Sequence, residues 1–135
     1  MRKKTKKITL SGNNRRKADP LRVNMARIFF SLNAVLWLAY GVYIYYDMAV
    51  VNHNTNSADV VTLFAFVNAG LLLFSAIKLG KPQKWTYFLV LAVAVFNTLL
   101  SLVNIIDLYF LVSFILDLLI LWAILPLRKS YLSIP

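Results

Sequence analysis

The chain has 135 residues, of which 60% are hydrophobic and 15% charged; Lys and Arg number 15 against 5 Asp and Glu, a formal net charge of +10. Soluble domains carry about 25% charged residues, and a fold this short cannot hide so much apolar surface from water. The composition therefore argues for a membrane protein and against the soluble nucleic-acid binder that the charge alone would suggest, while the absence of cysteine excludes disulfides, thiolate chemistry, cysteine-based metal sites and S-acylation.

Residues 1–19 read as a flexible basic tail on the cytoplasmic side. Two cationic clusters, Arg2, Lys3, Lys4, Lys6 and Lys7, then Arg15, Arg16 and Lys17, flank a polar stretch of Thr, Ser, Gly and Asn. Such a composition stays unfolded until bound. These eight cations are candidates for contact with anionic lipid headgroups, worth about 1 kcal/mol each when well placed. The tail is expected to be retained rather than cleaved, because its basic region is long and the apolar run behind it is a full membrane span. Asp19-Pro20 has the form of a helix N-cap followed by proline at the first helical position.

Four apolar runs follow, over about 28–46, 60–77, 86–103 and 109–125. Each approaches the ~20 residues that cross ~30 Å of hydrocarbon as a helix. The expected architecture is all-α, an integral membrane four-helix bundle within residues 20–127, with a short cytoplasmic end at 128–135. Asp59 and Asp107 are the expected N-caps of the second and fourth helices, Gly80 and Pro82 end the second, and Pro126 is expected to stop the last. No Gly or Pro occurs between Trp85 and Leu125, so the turn between helices three and four is placed at the polar interruption Asn104–Asp107.

Cation placement gives an orientation. Every Lys and Arg lies in the tail and first helical turns, in the second connection (Lys78, Lys81, Lys84) or at the C-terminal end (Arg128, Lys129). The first and third connections carry Asp47, Asp59 and Asp107 instead. With four spans the cations share one side, and the positive-inside rule makes both termini cytoplasmic. Tyr40, Tyr43, Tyr45, Tyr46 and Tyr109 then gather at the outer interface and Trp85, Tyr87 and Trp122 at the inner one, as an aromatic belt does.

Each expected span carries one carboxamide or carboxylate in its interior: Asn33, Asn68, Asn97 and Asp117. Asn97, Ser101 and Asn104 follow i, i+4, i+7 on the third helix, and Ser113 and Asp117 are i, i+4 on the fourth. Lipid cannot satisfy an amide, so these faces are expected to meet inside the bundle. The asparagines serve either as interhelical ties, at about 0.6 kcal/mol per contact, or as a solute pathway. Asp117 has no cation in any span to pair with. It must be protonated, accept hydrogen bonds from Asn and Ser, or meet a cation or water, and both a proton-coupled carrier and a hydrogen-bonded structural acid remain open.

The candidate polar site is thus Asp117, Asn33, Asn68, Asn97 and Ser113. No catalytic residues, cofactor or metal are expected. His53 is the only histidine, and its loop spacing to Asp47 and Asp59 is no metal signature. No nucleophile–base pair or phosphate-cradling loop is evident, so an enzyme is not expected. The leading expectation is an accessory, assembly or scaffold component of the plasma membrane, partnered by anionic lipid and by a larger complex or further copies of itself, not by nucleic acid. The alternative is a small proton- or cation-coupled transporter or channel, oligomeric, with Asp117 as its acid.

Overall fold

A computed structural model describes residues 17–133; of the tail candidates, Lys17 lies within it, and Arg2, Lys3, Lys4, Lys6, Lys7, Arg15 and Arg16 lie outside the described residues. The first helix, α1 (Pro20–Tyr45), starts where Asp19 accepts a 3.0 Å hydrogen bond from the Leu21 N–H, with proline in the first turn. Its axis continues through a π-helical segment, Tyr46–Val51. Asn52 closes that segment, its backbone N–H and side-chain amide both donating to the Asp47 carbonyl at 3.0 Å. His53 then reverses the chain with a positive φ of 53°.

The second helix, α2 (Thr55–Lys78), is capped by Asn54, whose side-chain oxygen accepts from the Ser57 N–H at 3.3 Å. This corrects the expectation that Asp59 is the cap. The Asn52–Asn54 reversal needs only three residues, so the polar stretch on either side of it is spent on helical turns and Asp59 lies exposed on the helix surface. Leu79–Gln83, with Gly80 and Pro82, connects to α3 (Lys84–Val103). The turn to α4 (Leu108–Ile124) falls at Asn104–Asp107, with Asp107 as N-cap accepting from the Tyr109 N–H at 2.8 Å.

The α4 helix ends at Ile124, just before Pro126 as expected, but the helical path does not end there. Pro126 sits in the first turn of a 3-10 segment, Leu125–Leu127, where a missing N–H is tolerated, and the chain continues as α5 (Arg128–Leu132). What holds α5 is packing: Leu127 and Tyr131 are buried, and the Tyr131 hydroxyl donates to the Leu79 carbonyl at 2.6 Å.

The four long helices run up and down in turn. α1 packs between α2 and α4, α3 packs on α4, and of the neighbouring pairs α2 and α3 touch least. Small residues line the interior (Ala26, Ala34, Ala65, Ala69, Ala94, Ala123) and allow close approach of the backbones. At Gly41 the approach is close: a Cβ there would lie 3.2 Å from the Ala65 Cβ and from the Phe66 ring.

The outer surface inverts the pattern of a water-soluble bundle. Large apolar side chains such as Val60, Leu63, Phe88, Leu99, Ile115 and Trp122 are exposed on all four helices, while amides and the carboxylate are buried. Each of the four helical stretches, Pro20–Val51, Thr55–Lys78, Lys84–Val103 and Leu108–Leu132, is long and apolar enough to cross a membrane. The chain thus carries four candidate membrane-spanning helices, and no strand occurs among the described residues.

Charge divides between the two ends of the bundle. The Arg27 Nε donates to the Ala76 carbonyl at 3.0 Å, Tyr131 bonds Leu79, and the Arg22 guanidinium stacks over the Trp122 ring at 5.0 Å, which joins the start of α1, the end of α2 and the end of α4. Lys17, Arg22, Arg27, Lys78, Lys81, Lys84, Arg128 and Lys129, all the cations among the described residues, belong to that end. At the opposite end Tyr43 stacks on Tyr109 at 5.8 Å, close to Asp107.

Candidate functional site

The polar interior forms from residues that helical spacing turns inward. On α4, Ser113 and Asp117 stand one turn apart and both are buried; on α3, Asn97 and Ser101 do the same. Asn104 does not join them, because α3 ends at Val103 and Asn104 is exposed in the turn.

These side chains fall into two clusters. In the first, Asn33 of α1 donates from Nδ2 to Asp117 Oδ1 at 2.7 Å. Ser113 donates to Asn33 Oδ1 at 2.9 Å. Ser101 of α3 lies 3.0 Å from Asp117 Oδ2 and 3.1 Å from the Ser113 hydroxyl. The four residues close a ring that ties α1, α3 and α4 together, and each has at most 2% of its surface exposed. In the second cluster Asn68 of α2 donates to Asn97 Oδ1 at 2.7 Å, and Asn97 Nδ2 donates to the Val93 carbonyl of its own helix at 3.0 Å. Asn68 Oδ1 is buried without a partner among the described residues.

A hydrogen count sets the ring's chemistry. Its four contacts need four hydrogens. Asn33, Ser101 and Ser113 supply one each toward the ring, since a hydroxyl has a single hydrogen to donate. With Asp117 as a carboxylate one contact has no hydrogen. With Asp117 as the neutral acid, Oδ2–H donates to Ser101, Ser101 to Ser113, Ser113 to Asn33 and Asn33 back to Oδ1, and every contact is satisfied in one circular sense. An ionised carboxylate with no cation beside it is costly in a low-dielectric interior, and the Ser101–Ser113 contact would then bring two oxygens together without a hydrogen; both favour this closed arrangement.

Asp117, Asn33, Asn68, Asn97 and Ser113 are the five residues expected to share one polar site. Asn33, Ser113 and Asp117 meet directly, whereas Asn68 and Asn97 form a separate pair. Ser101 was not among the five, although it makes two contacts of the ring. The signal for it was present in its i+4 spacing from Asn97 and in its short distance along the chain from the α3–α4 turn.

Beside the ring, toward the Asp107 end, lies an aromatic cluster. Trp37 meets Tyr40 and Phe110 edge-on, each at 5.8 Å, and Tyr40 meets Phe110 at 5.3 Å. Under it is a cavity of about 10 Å³ lined by Leu36, Trp37, Tyr40, Tyr109, Phe110 and Ser113, the size of about one water. At the opposite end Tyr87, expected in an aromatic belt, is buried instead and tilts against Tyr131 at 6.3 Å. Burial of α5 against the bundle makes Tyr87 a packing residue, while Trp85 and Trp122 remain exposed.

Comparison with known proteins yields no matching family model, and neither the curated proteins nor the solved structures contain a match to the chain.

Proposed function

We propose that this chain is a non-catalytic, multi-pass component of the plasma membrane, with both termini in the cytoplasm, that packs within a larger membrane assembly and holds anionic lipid at its cationic end. The closed Asn33–Ser101–Ser113–Asp117 ring carries this reading. Its four side chains are engaged with one another across three helices, which is the arrangement of a structural tie that fixes helix register. A carrier's acid must instead exchange its proton with a pathway. The division of charge between the two ends of the bundle supports the orientation, since cations favour the cytoplasmic side. The apolar exposed faces of all four helices offer surface for lipid and for partner helices alike.

The transport reading draws on one feature, the cavity that reaches Ser113 from beneath the aromatic cluster. A single pair of measurements separates the two. Purification in mild detergent followed by native mass spectrometry is expected to retain a partner protein with the chain. Liposomes carrying the chain are expected to pass protons or monovalent cations at the same rate with the parent and with Asp117→Asn. Flux that the parent supports and Asp117→Asn abolishes would replace the accessory reading with a carrier.

A further inference from the structure

Between α1 and α2, on the surface near the cationic end, runs a groove of about 580 Å³. Its walls are mainly apolar: Ile28, Leu32 and Val35 of α1 face Leu73 and Ile77 of α2, each of them 39–65% exposed, and Ser31 is the one polar side chain among them, its hydroxyl donating to the Arg27 carbonyl at 2.8 Å. Its mouth is polar, with Asn24 and Arg27. From Asn24 to Val35 the groove follows α1 for about 16 Å at 1.5 Å per residue. That is close to half of a ~30 Å hydrocarbon core. In the orientation proposed above, on which this step rests, the groove therefore runs from the cytoplasmic headgroup level to the middle of the bilayer.

Arg27 is positioned rather than loose. Its Nε donates to the Ala76 carbonyl at 3.0 Å, across the helix pair, and its guanidinium lies beside Gly80, where a Cβ would come within 3.8 Å of Nη1. A guanidinium fixed through Nε presents its remaining edge, Nη1 and Nη2, as a two-pronged donor that matches a phosphate. No carboxylate competes for it, as the ion pair of the described residues is Arg22 with Asp19. Lys78 and Lys81 add positive charge at the same end of α2.

We infer that this groove is a binding site for one anionic glycerophospholipid of the cytoplasmic leaflet, its phosphate on Arg27 and one acyl chain lying between α1 and α2. The mouth is cationic, so a headgroup with net negative charge is selected over a zwitterionic one whose ammonium would face Arg27 and the lysines. The site is distinct from the tail, since the residues lining the groove all belong to α1 and α2.

The test uses the full chain, delipidated in detergent and titrated with phosphatidylglycerol or phosphatidylcholine under native mass spectrometry. One phosphatidylglycerol is expected to bind about tenfold more tightly than phosphatidylcholine. Arg27→Gln is expected to bring the two lipids level. Leu32→Trp, which leaves Arg27 and its bond to Ala76 in place and fills the groove, is expected to remove the tight copy, so the site is read even if Arg27→Gln unfolds. Equal binding of the two lipids by the parent overturns the proposal. So does a preference that survives both substitutions but is lost when Arg15, Arg16 and Lys17 are changed to Gln, which would assign the lipid to the tail. A lipid-free dimer that Leu32→Trp abolishes would give the groove to a second copy and also overturn it. Partner retention and ion flux, which test the accessory reading, are separate readouts.

Discussion

Asp117 has its two carboxyl oxygens at hydrogen-bond distance from side chains on two other helices, Asn33 and Ser101. The ring needs a hydrogen from position 117, and an amide can supply it as well as a carboxylic acid can. Asp117→Asn is therefore expected to keep the unfolding midpoint in detergent within about 0.5 kcal/mol of the parent. Asp117→Ala leaves the Asn33 amide and the Ser101 hydroxyl without that partner and is expected to lower stability by about 1–2 kcal/mol, at the upper end for such bonds inside membranes. Equal losses from the two substitutions would mean that the carboxylate charge, and not the hydrogen count, holds the ring. Composition and span position identified this acid from the sequence, because no Lys or Arg shares its span. Asn33 was among the candidates, but that Asn33 and Ser101, and not Asn68 or Asn97, would bond the acid was not legible, because which faces of α1 and α3 oppose α4 depends on how the helices are rotated.

At the scale of single helices, the ends follow local chemistry wherever one strong cap dominates. Asp19 with Pro20, and Asp107, act as read from the chain. Between α1 and α2 several capping residues compete over Asn52–Asp59, and the left-handed His53 decides for Asn54. Asn54→Ala is expected to cost about 1 kcal/mol and to speed amide exchange at Ser57, while Asp59→Ala stays within about 0.5 kcal/mol. The reverse result would shift the start of α2 by a turn. Pro126 shows the other limit of local rules. The proline ends α4, yet the chain resumes as α5 because Leu127 and Tyr131 find buried places, Tyr131 against Leu79 and Tyr87, which no residue near Pro126 announces.

For the whole molecule, the two ends of the bundle differ in charge even among residues 17–133. Deleting residues 2–16 is therefore expected to leave the orientation unchanged, since Arg22, Arg27, Lys78, Lys81, Lys84, Arg128 and Lys129 remain. The chain has no cysteine, so single substitutions report directly. His53→Cys should react with a membrane-impermeant thiol reagent applied outside intact cells, and Lys81→Cys only after the cells are opened. Labelling in the opposite pattern would invert the proposed topology.

The amino-acid sequence by itself determined the number of membrane-length helices, the apolar character of each span, the α3–α4 turn and the separation of cations from Asp47, Asp59 and Asp107. These depend on run length, hydropathy and local caps, all of which act over a few consecutive residues. Only the tertiary structure decided that the interior polar residues divide into a ring and a separate pair, that Ser101 belongs to the ring, that Tyr87 is buried under Tyr131, and that Arg27 stands at the mouth of a groove. Each of these rests on contacts between segments distant in the chain, such as Asn33 with Asp117 and Arg27 with Ala76. Helical periodicity says which residues share a face but not which face another helix covers. That choice is made by the packing of small residues such as Gly41 against Ala65, where a Cβ on the glycine would come within 3.2 Å of the Ala65 Cβ.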